Sequence, residues 1–422
     1  MREMKDSGIS WVGEIPKEWS VKKIKHISYV IGGNGFNVEL QGLESGDYPF
    51  CKASDISNAG KYLDKAANYV TFDIVRDQHY NIIPKGAILF PKIGEAMKKN
   101  NRTICVLDCC ADNNCQAIVP FERNSGMFLY YILTCVNMGW FDNAGTIPCM
   151  NNRKFLNSKV PFPSLVEQQR IAEFLDRECG KIDGLKADIQ AQIDTLEQYK
   201  RSVITEAVTH GLNPSAPMKD SGVDYIDKIK SDWRITKIGF VCSKLTRGFS
   251  AEDPALICSN NGSVMLRDEE KACGKMVSED NAMQGIHIGD IAIHGMDTWH
   301  GAIGFSKMKG KITRVVHVCD STEDKRFIVY YLKSLAYQNV YKLISNGVRG
   351  NTSDFRSWDK VKDIYICLPA TKKEENEICD YLDAQCENID MIIADKKTQI
   401  ETLDGYKKSL IYEYVTGKKE VV

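Results

Sequence analysis

The chain has 422 residues, more than one ordinary domain contains, so two or more hydrophobic cores are expected. Hydrophobic residues make up 43% and charged residues 26% of the sequence, as in a globular protein, and no apolar run approaches the ~18 residues of a membrane span. The net charge of −1 excludes a uniformly basic surface, so any contact with nucleic acid requires local basic patches or a partner.

The sequence is duplicated. In chain order, residues 5–24 recur without a gap at residues 219–238, with 8 identities in 20 positions. Residues 171–209 recur at 378–416 with 19 identities in 39 positions. The segments between these copies, residues 26–160 and 240–368, show little resemblance to each other. A constant–variable–constant order written twice predicts two different recognition domains on matched supports.

Both variable segments are predicted to be mixed α/β domains of about 130 residues, because short β-rich runs alternate with Gly and Asn turns and precede one helix. Each also carries clusters of Lys, Arg and Asn, the residue types that contact DNA phosphates and base edges. Solvated loops are the alternative interpretation of such clusters. The candidates for DNA contact in the first segment are Lys92, Lys98, Lys99, Asn100, Asn101, Arg102, Asn151, Asn152 and Arg153, and in the second Lys307, Lys309, Lys311, Arg314, Arg349, Asn351 and Arg356.

The constant segments at residues 171–209 and 378–416 are predicted to be long helices, each ~58 Å long at about 1.5 Å per residue. Apolar residues at heptad spacing indicate a coiled-coil seam, although for one copy alone an ordinary amphipathic helix would be the better interpretation. The expected partner-helix seam consists of Leu175, Ile182, Leu185, Ile189, Leu196 and Tyr199 in the first helix and Leu382, Ile389, Ile392, Leu403, Tyr406 and Leu410 in the second. If a pseudo-twofold axis relates the halves, residue 5 should lie near the end of the second helix.

No catalytic or metal site is expected. The 15 cysteines include no CxxC pair and are interpreted as small buried thiols. The sequence has no NPPY or DPPY methylation motif, no FxGxG cofactor loop and no GxxxxGK[ST] phosphate loop. The start of the sequence lacks the apolar core of a signal peptide, so a cytoplasmic protein is expected.

Several motifs together resemble the specificity subunits of type I restriction–modification systems. They are KDSGxxWxGxIPxxW at residues 5–19 with its second copy, EQQRIAEFLD at 167–176, YPFCKASDI at 48–56, GTIP at 145–148, and the segment 289–307 with Trp299. The start of the second helix, Glu374-Glu375-Asn376, departs from the family's Glu-Gln-Gln. The resemblance spans essentially the whole chain, and it adds Thr146, Trp299 and His300 to the candidates for DNA contact.

The resemblance implies a subunit without chemistry of its own. Each of two target-recognition domains would read one half of a split DNA site, and the helices would set the spacing and dock two modification (methyltransferase) subunits. This chain would bind no cofactor, because S-adenosylmethionine, ATP and Mg²⁺ would act through the modification subunits and the ATP-dependent restriction subunits. Double-stranded DNA and both kinds of subunit are therefore the expected partners, without a membrane.

The expected fold is α+β, with two mixed α/β target-recognition domains separated by two long antiparallel coiled-coil helices in a pseudo-twofold duplication. The expected boundaries are recognition domain 1 at residues 1–162, spacer 1 at 163–212, recognition domain 2 at 213–369 and spacer 2 at 370–422. Two other hypotheses remain. A stand-alone DNA-modifying enzyme with duplicated arms would transfer methyl groups by itself, and a coiled-coil adaptor would give no salt-sensitive gel shift with DNA.

Overall fold

The structure is a computed structural model that describes residues 2–143, 145–267, 282–345 and 354–421. Its contacts divide the chain into two compact units. Unit 1 comprises Met1–Asp188 with Thr398–Val422, and unit 2 comprises Ile189–Lys397. Each unit therefore contains one variable segment, the first half of one long helix and the second half of the other.

The part of unit 1 that precedes the helix pair is mixed α/β and leads into the first long helix, α6. Its strands are β1 (Met4–Asp6), β2 (Glu14–Pro16), β3 (Ser20–Lys23), β4 (Ser28–Gly32), β5 (Tyr48–Cys51), β6 (Tyr62–Leu63), β7 (Tyr69–Val70), β8 (Ile88–Pro91), β9 (Thr103–Cys105), β10 (Cys110–Ala111), β11 (Cys115–Pro120) and β12 (Lys159–Phe162). Its helices are α1 (Ala53–Asn58), α2 (Phe72–Asp77), α3 (Glu95–Lys98), α4 (Gly126–Thr134), α5 (Asn152–Asn157) and α6 (Leu165–His210), the last continuing into unit 2.

The main sheet of unit 1 has the strand order β4-β11-β8-β9-β6. Its central strand β8 is buried at all four positions, which explains the continuous apolar sequence Ile-Leu-Phe-Pro. The apolar helix α4 packs on this sheet and buries Phe128 and Ile132. The strands β12 and β3 pair antiparallel directly before α6 begins. This core therefore holds the loops that follow β8.

Unit 2 is built in the same way, with a mixed α/β part between the two long helices. Its strands are β13 (Met218–Val223), β14 (Ile226–Lys230), β15 (Arg234–Lys237), β16 (Cys242–Lys244), β17 (Leu256–Cys258), β18 (Val264–Leu266), β19 (Met283–Ile286), β20 (Ile291–His294), β21 (Ile303–Phe305), β22 (Gly310–Thr313), β23 (Val316–Ser321) and β24 (Tyr365–Leu368). Its helices are α7 (Ile238–Val241), α8 (Lys325–Tyr337), α9 (Val340–Ile344), α10 (Trp358–Lys362) and α11 (Lys372–Val415), the last ending in unit 1.

The sheet of unit 2 has the order β16-β23-β20-β21, so β23 and β20 occupy the places that β11 and β8 have in unit 1. The helix α8 buries Phe327 and Leu332 against it, and β24 pairs with β15 before α11 begins. The fold class expected from the sequence is confirmed: the protein is α+β, with two mixed domains and two long helices.

The two long helices run antiparallel in each unit. In unit 1 the Nζ of Lys407 lies 2.7 Å from the carboxylate of Asp183, and Lys186 pairs with Asp404. In unit 2 the Nζ of Lys200 lies 2.6 Å from Asp390. Lys200 and Asp390 are the repeat equivalents of Lys407 and Asp183, so the same ion pair links the helices in both units.

The helix seam agrees with eight of the twelve predicted residues and departs from the other four. Ile189, Leu196 and Leu403 are half-buried. Leu175, Ile182, Leu382, Ile389 and Leu410 are buried, as the heptad pattern predicts. The prediction was wrong for the second apolar position of each heptad, because the residue that follows this position in the sequence faces the seam instead. The predicted residues Leu185, Tyr199, Ile392 and Tyr406 are 53%, 53%, 38% and 57% exposed. The seam instead contains the residues that follow these heptad positions: Cys179, Lys186, Ile193, Lys200, Cys386, Ile393 and Lys407. The three lysines lay their aliphatic stems in the seam and direct their ammonium groups to aspartates at its edge.

The N-terminal segment packs against the end of α11 within unit 1, as the duplication predicts. The hydroxyl of Tyr412 donates to the carbonyl of Trp11 at 3.1 Å, and Lys418 donates to the carbonyl of Glu14 at 2.6 Å. Gly417 has φ +72°, and a Cβ there would lie 2.3 Å from Pro16, so glycine allows this close approach. None of the helices in the described residues combines the length and the apolarity needed to cross a bilayer.

Candidate nucleic-acid interface

In unit 1 a loop leaves the end of β8 and lies against the loop that precedes α5. The backbone of Lys92 donates to the carbonyl of Asn114 at 2.7 Å and accepts from the N–H of Met150 at 2.9 Å. The N–H of Gly94 also donates to the carbonyl of Pro148 at 2.8 Å. Residues 92–102 and 145–154, which the sequence analysis treated as separate clusters, are therefore adjacent.

Unit 2 has the same backbone arrangement at the end of β20. The N–H of Gly295 donates to the carbonyl of Val315 at 2.9 Å, and the carbonyl of Gly295 accepts from the N–H of Phe355 at 3.0 Å. A Cβ at Gly295 would lie 2.6 Å from the carbonyl oxygen of Phe355, so the close approach requires glycine. Each unit thus joins the loop after its central strand to the loop before its last short helix, but with unrelated sequences.

The exposed side chains of this surface in unit 1 are mostly polar or basic. Lys98, Lys99, Thr146, Asn152, Arg153 and Lys154 are exposed, and Lys92 is half-buried. Lys98 pairs with Glu95 at 3.1 Å within α3, an exposed pair that contributes little to stability and leaves the ammonium accessible. Ile147, which was not among the candidates for DNA contact, is 65% exposed between Thr146 and Pro148.

The asparagines predicted to contact DNA shape the loops. Asn100 has φ +60° and accepts from the N–H of Met138 at 3.0 Å, and Asn101 donates to the hydroxyl of Ser57 at 3.2 Å. Asn151 is the N-cap of α5, because its side-chain oxygen accepts from the N–H of Lys154 at 2.9 Å. The side-chain groups named here already have protein partners, so we assign these residues to loop geometry and keep base contact as a proposal for Asn152.

Arg102 is a correction to the predicted DNA-contacting set. It is 5% exposed, and its guanidinium donates to the carbonyls of Leu133, Asn100 and Val136. Burial lowers the pKa of Arg102 to about 10. The sequence showed only its basic neighbours, whereas the structure directs the guanidinium inward to tie the loop to the end of α4.

Replacing Arg102 with alanine should destabilise the protein and leave the charge on the candidate DNA-binding surface unchanged. Buried carbonyls would lose their donor, so we expect unit 1 to lose about 2–4 kcal/mol of unfolding free energy. Denaturant unfolding followed by circular dichroism measures this.

Lys99→Ala is the matched control, because it removes an exposed charge from the same loop. It should leave stability within about 0.5 kcal/mol and reduce the slope of log K against log salt for DNA binding by ~0.9. A reduced salt slope for Arg102→Ala with unchanged stability would contradict the assignment of Arg102 to the interior.

In unit 2 the candidate residues occupy two adjoining places. His300, Arg314 and Arg356 are exposed around the loop after β20, and the Nη2 of Arg356 lies 3.1 Å from the sulfur of Met296. Lys307 and Lys309 are exposed in the loop between β21 and β22, and Lys311 on β22 donates to the carbonyl of Ala251 at 3.2 Å. Arg349 and Asn351 lie outside the described residues.

Trp299 is half-buried beside α8 and α9. Its indole Nε1 is buried without a hydrogen-bond partner among the described residues, and the Nζ of Lys342 lies 5.8 Å from its ring centre. The ring packs on the core of unit 2, so part of its role is structural.

Two histidines hold the loops of unit 2 in place. His317 is buried and its Nε2 donates to the carbonyl of Phe355 at 2.7 Å, and the Nδ1 of His294 accepts from the N–H of Asp297 at 3.2 Å. Burial lowers the pKa of both imidazoles, which keeps them neutral at neutral pH. They therefore position the loops and add no positive charge to this surface.

Twelve of the fourteen cysteines in the described residues are buried thiols, including the four between residues 105 and 115, whereas Cys135 and Cys149 are half-buried. The sulfur atoms of Cys105 and Cys109 are 3.5 Å apart, and burial raises the pKa of Cys110 and of Cys115 to about 12. In the part of the chain that the structure describes, no group of three His, Cys, Asp or Glu side chains is placed to hold a metal ion.

Comparison with known proteins is consistent with this architecture. Residues 16–195 match the family model "Type I restriction modification DNA specificity domain". The specificity subunit of the type I restriction enzyme MjaIX from Methanocaldococcus jannaschii is 24% identical over 388 residues, which cover 85% of this chain and 84% of that protein. The putative MjaX specificity subunit of the same organism is 24% identical and covers 97% of this chain and 96% of its own length.

A solved chain is similar in fold over nearly the whole length. That chain comes from work on complex assembly and conformational transition of the type I R-M system. The two structures match with a TM-score of 0.64 at 13% identity, over 96% of this chain and 99% of the other. The matched family model defines residues 16–195 as a DNA specificity domain. The chain is similar to type I restriction enzyme specificity subunits over most of its length.

Sequence reasoning missed the residues that attach each recognition domain to its long helix. Tyr131 on α4 and Tyr330 on α8 hydrogen-bond to Asp176 and Asp383, which are equivalent positions of the helix repeat. A weak signal was present, because FLYYIL at residues 128–133 and FIVYYL at 327–332 share a Phe, a Tyr and a Leu at the same spacing.

Proposed function

We propose that this chain is the DNA-reading subunit of a type I restriction–modification complex, in which each unit reads one half of a bipartite site. The observation that carries the proposal is the repeated backbone frame after β8 and β20, which presents different side chains in the two units. A constant frame with divergent loops suits two surfaces that bind the same kind of ligand, duplex DNA, with different sequence preferences. The helix pair sets the spacing between the half-sites.

The proposed partners are two methyltransferase subunits, with ATP-dependent restriction subunits added to the complex. Two exposed apolar pairs on the long helices suggest where the methyltransferases dock. In unit 1 Leu185 and Tyr406 flank the ion pair of Asp183 and Lys407. In unit 2 Ile392 and Tyr199 flank the equivalent ion pair. Exposed apolar side chains at equivalent positions suit one partner copy at each.

The proposed role is non-catalytic, and S-adenosylmethionine, ATP and Mg²⁺ would act on the partner subunits. We also propose that the complex acts in the cytoplasm, where its DNA is. These assignments are tested by incubating the purified chain with DNA and labelled S-adenosylmethionine, with and without the methyltransferase subunit. Methyl transfer by the chain alone would favour a self-contained enzyme instead.

Exchange of one variable segment tests the reading of half-sites. Replacing residues 26–160 with the corresponding segment of another such protein should change one half of the methylated sequence and leave the other half and the spacer unchanged. Sequencing of methylated DNA from cells that express the chain with its methyltransferase subunit measures both halves at once. Exchange of residues 240–368 is the matched control and should change the opposite half. Changes in both halves from one exchange would contradict independent readers.

A further inference from the structure

In unit 1 the helix α4 is attached to the start of α6 at two points. The backbone N–H of Ser125, the N-cap of α4, donates to the side-chain oxygen of Gln168 at 3.0 Å. The hydroxyl of Tyr131 donates to the carboxylate of Asp176, and the Nζ of Lys61 pairs with the same carboxylate.

Unit 2 has the same two attachments between α8 and α11. The N–H of Asp324, the N-cap of α8, donates to Glu375 at 3.0 Å. The hydroxyl of Tyr330 donates to Asp383 at 2.6 Å, and Arg326 pairs with Asp383 at 2.8 Å. The cation differs between the units and comes from a different part of the domain, whereas the two hydrogen-bonded positions on each helix are the same.

These contacts lie in surroundings that favour them. Gln168 and Glu375 are 1% and 2% exposed, so water competes little for their oxygens. Burial raises the pKa of Tyr131 and of Tyr330 above the ordinary value, and the hydrogen bond to the aspartate is the second cause of the increase. Both phenols therefore remain protonated and keep donating at neutral pH.

Two attachment points determine a direction, whereas one point allows rotation about it. Gln168 and Asp176 are eight residues apart, about 12 Å along α6, and Ser125 and Tyr131 span about 9 Å of α4. The helix α4 is also part of the core of the recognition domain. The two contacts consequently fix the angle at which this domain is held on its long helix.

We propose that Asp176 and Asp383 are positioning residues whose hydrogen bonds with Tyr131 and Tyr330 restrict the complex to one spacer length. This rests on the proposed function, and it separates two properties of the helix pair. Helix length sets which spacing is preferred, and the two-point attachment sets how strictly that spacing is required, because a domain free to tilt would reach half-sites one base pair nearer or farther.

The test uses the complex of the full chain with its methyltransferase subunits and a set of DNA duplexes. The duplexes share both half-sites and differ only in spacers shortened or lengthened by one and two base pairs. Tyr131→Phe and Tyr330→Phe each remove one hydroxyl without changing the ring. Tyr130→Phe is the matched control for Tyr131→Phe, since it removes a hydroxyl from the preceding residue of α4 and leaves the contact with Asp176 in place.

For the wild type and Tyr130→Phe we expect strong preference for one spacer. For Tyr131→Phe and Tyr330→Phe we expect the ratio of affinities between that spacer and its one-base-pair neighbours to fall about tenfold, with the half-sites unchanged. Unchanged spacer preference with a lowered melting temperature would overturn the inference, because the hydroxyls would then only stabilise the fold. A changed half-site would also overturn it.

The proposed function and this inference fail in different ways. A wild-type complex that shows no preference for any bipartite site overturns the proposed function and the inference with it. A wild-type complex with one preferred spacer, joined by phenylalanine variants that keep the same strictness, leaves the proposed function standing and overturns the inference alone.

Discussion

Replacing Leu185 and Tyr406 together with aspartate should reduce the number of methyltransferase subunits bound to each chain from two to one. Both side chains are more than half exposed on the long helices of unit 1, where they contribute little to the buried seam. Covering two such side chains by a partner would contribute roughly 3–5 kcal/mol, so buried carboxylates in their place should weaken that one site at least a hundredfold.

Native mass spectrometry of the purified complex counts the bound copies directly. Tyr199→Asp with Ile392→Asp is the equivalent pair in unit 2 and should also leave one copy, whereas all four substitutions should leave none. Ala187→Asp, an exposed position of the same helix, is the control for added charge and should keep both copies. Two bound copies on the fourfold variant would show that the partner docks elsewhere.

Inserting one heptad into each long helix, at the level where Lys396 hydrogen-bonds to Gln192, should lengthen the preferred DNA spacer. Seven helical residues add about 10 Å, which corresponds to up to about three base pairs at 3.4 Å per base pair. A whole heptad preserves the seam, because the same positions face the partner helix after seven residues. Removing one heptad from each helix should shorten the spacer by the same amount.

Affinity should fall as the spacer changes, since DNA turns about once every 10 base pairs and the half-sites then face different directions. Binding to duplexes that carry spacers of graded length, and sequencing of methylated DNA, both measure the preferred spacing. A four-residue insertion is the control, because it disrupts the heptad register and should impair folding of the helix pair. Altered half-site sequences with an unchanged spacer would contradict the role of the helices as a ruler.

The duplication made the fold predictable, but periodicity alone did not determine the helix seam. Positions three and four residues after a heptad core position lie on the same side of a helix, so apolar Leu185 and Tyr199 were natural choices. The structure uses Lys186 and Lys200 instead, because their long stems fill the seam and their charges reach aspartates on the other helix. Those aspartates are distant in sequence, and no local pattern reveals them.

The candidate DNA surface shows a similar division. Basic and polar composition predicted DNA contact at residues 92–102 and 151–154, and that prediction is untested. The composition gave no sign that the two loops are adjacent, because their adjacency depends on backbone hydrogen bonds such as that from Gly94 to Pro148. Composition also does not distinguish an inward guanidinium from an outward one, which is why Arg102 was misassigned. The departure of Glu374-Glu375 from the family pattern proves to be conservative, because Glu375 accepts from the N-cap of α8 as Gln168 does from that of α4.

The contact between the N-terminal segment and the end of α11 affects the order in which the segments of this fold can be joined along the chain. Residues 11–16 lie against residues 412–418 through hydrogen bonds and a glycine contact that need no peptide link between them. The link after α6, by contrast, is the exposed stretch at residues 212–215. A circular permutant that is opened there and joined across the termini would keep every contact named above, while the two recognition domains would be synthesised in the reverse order.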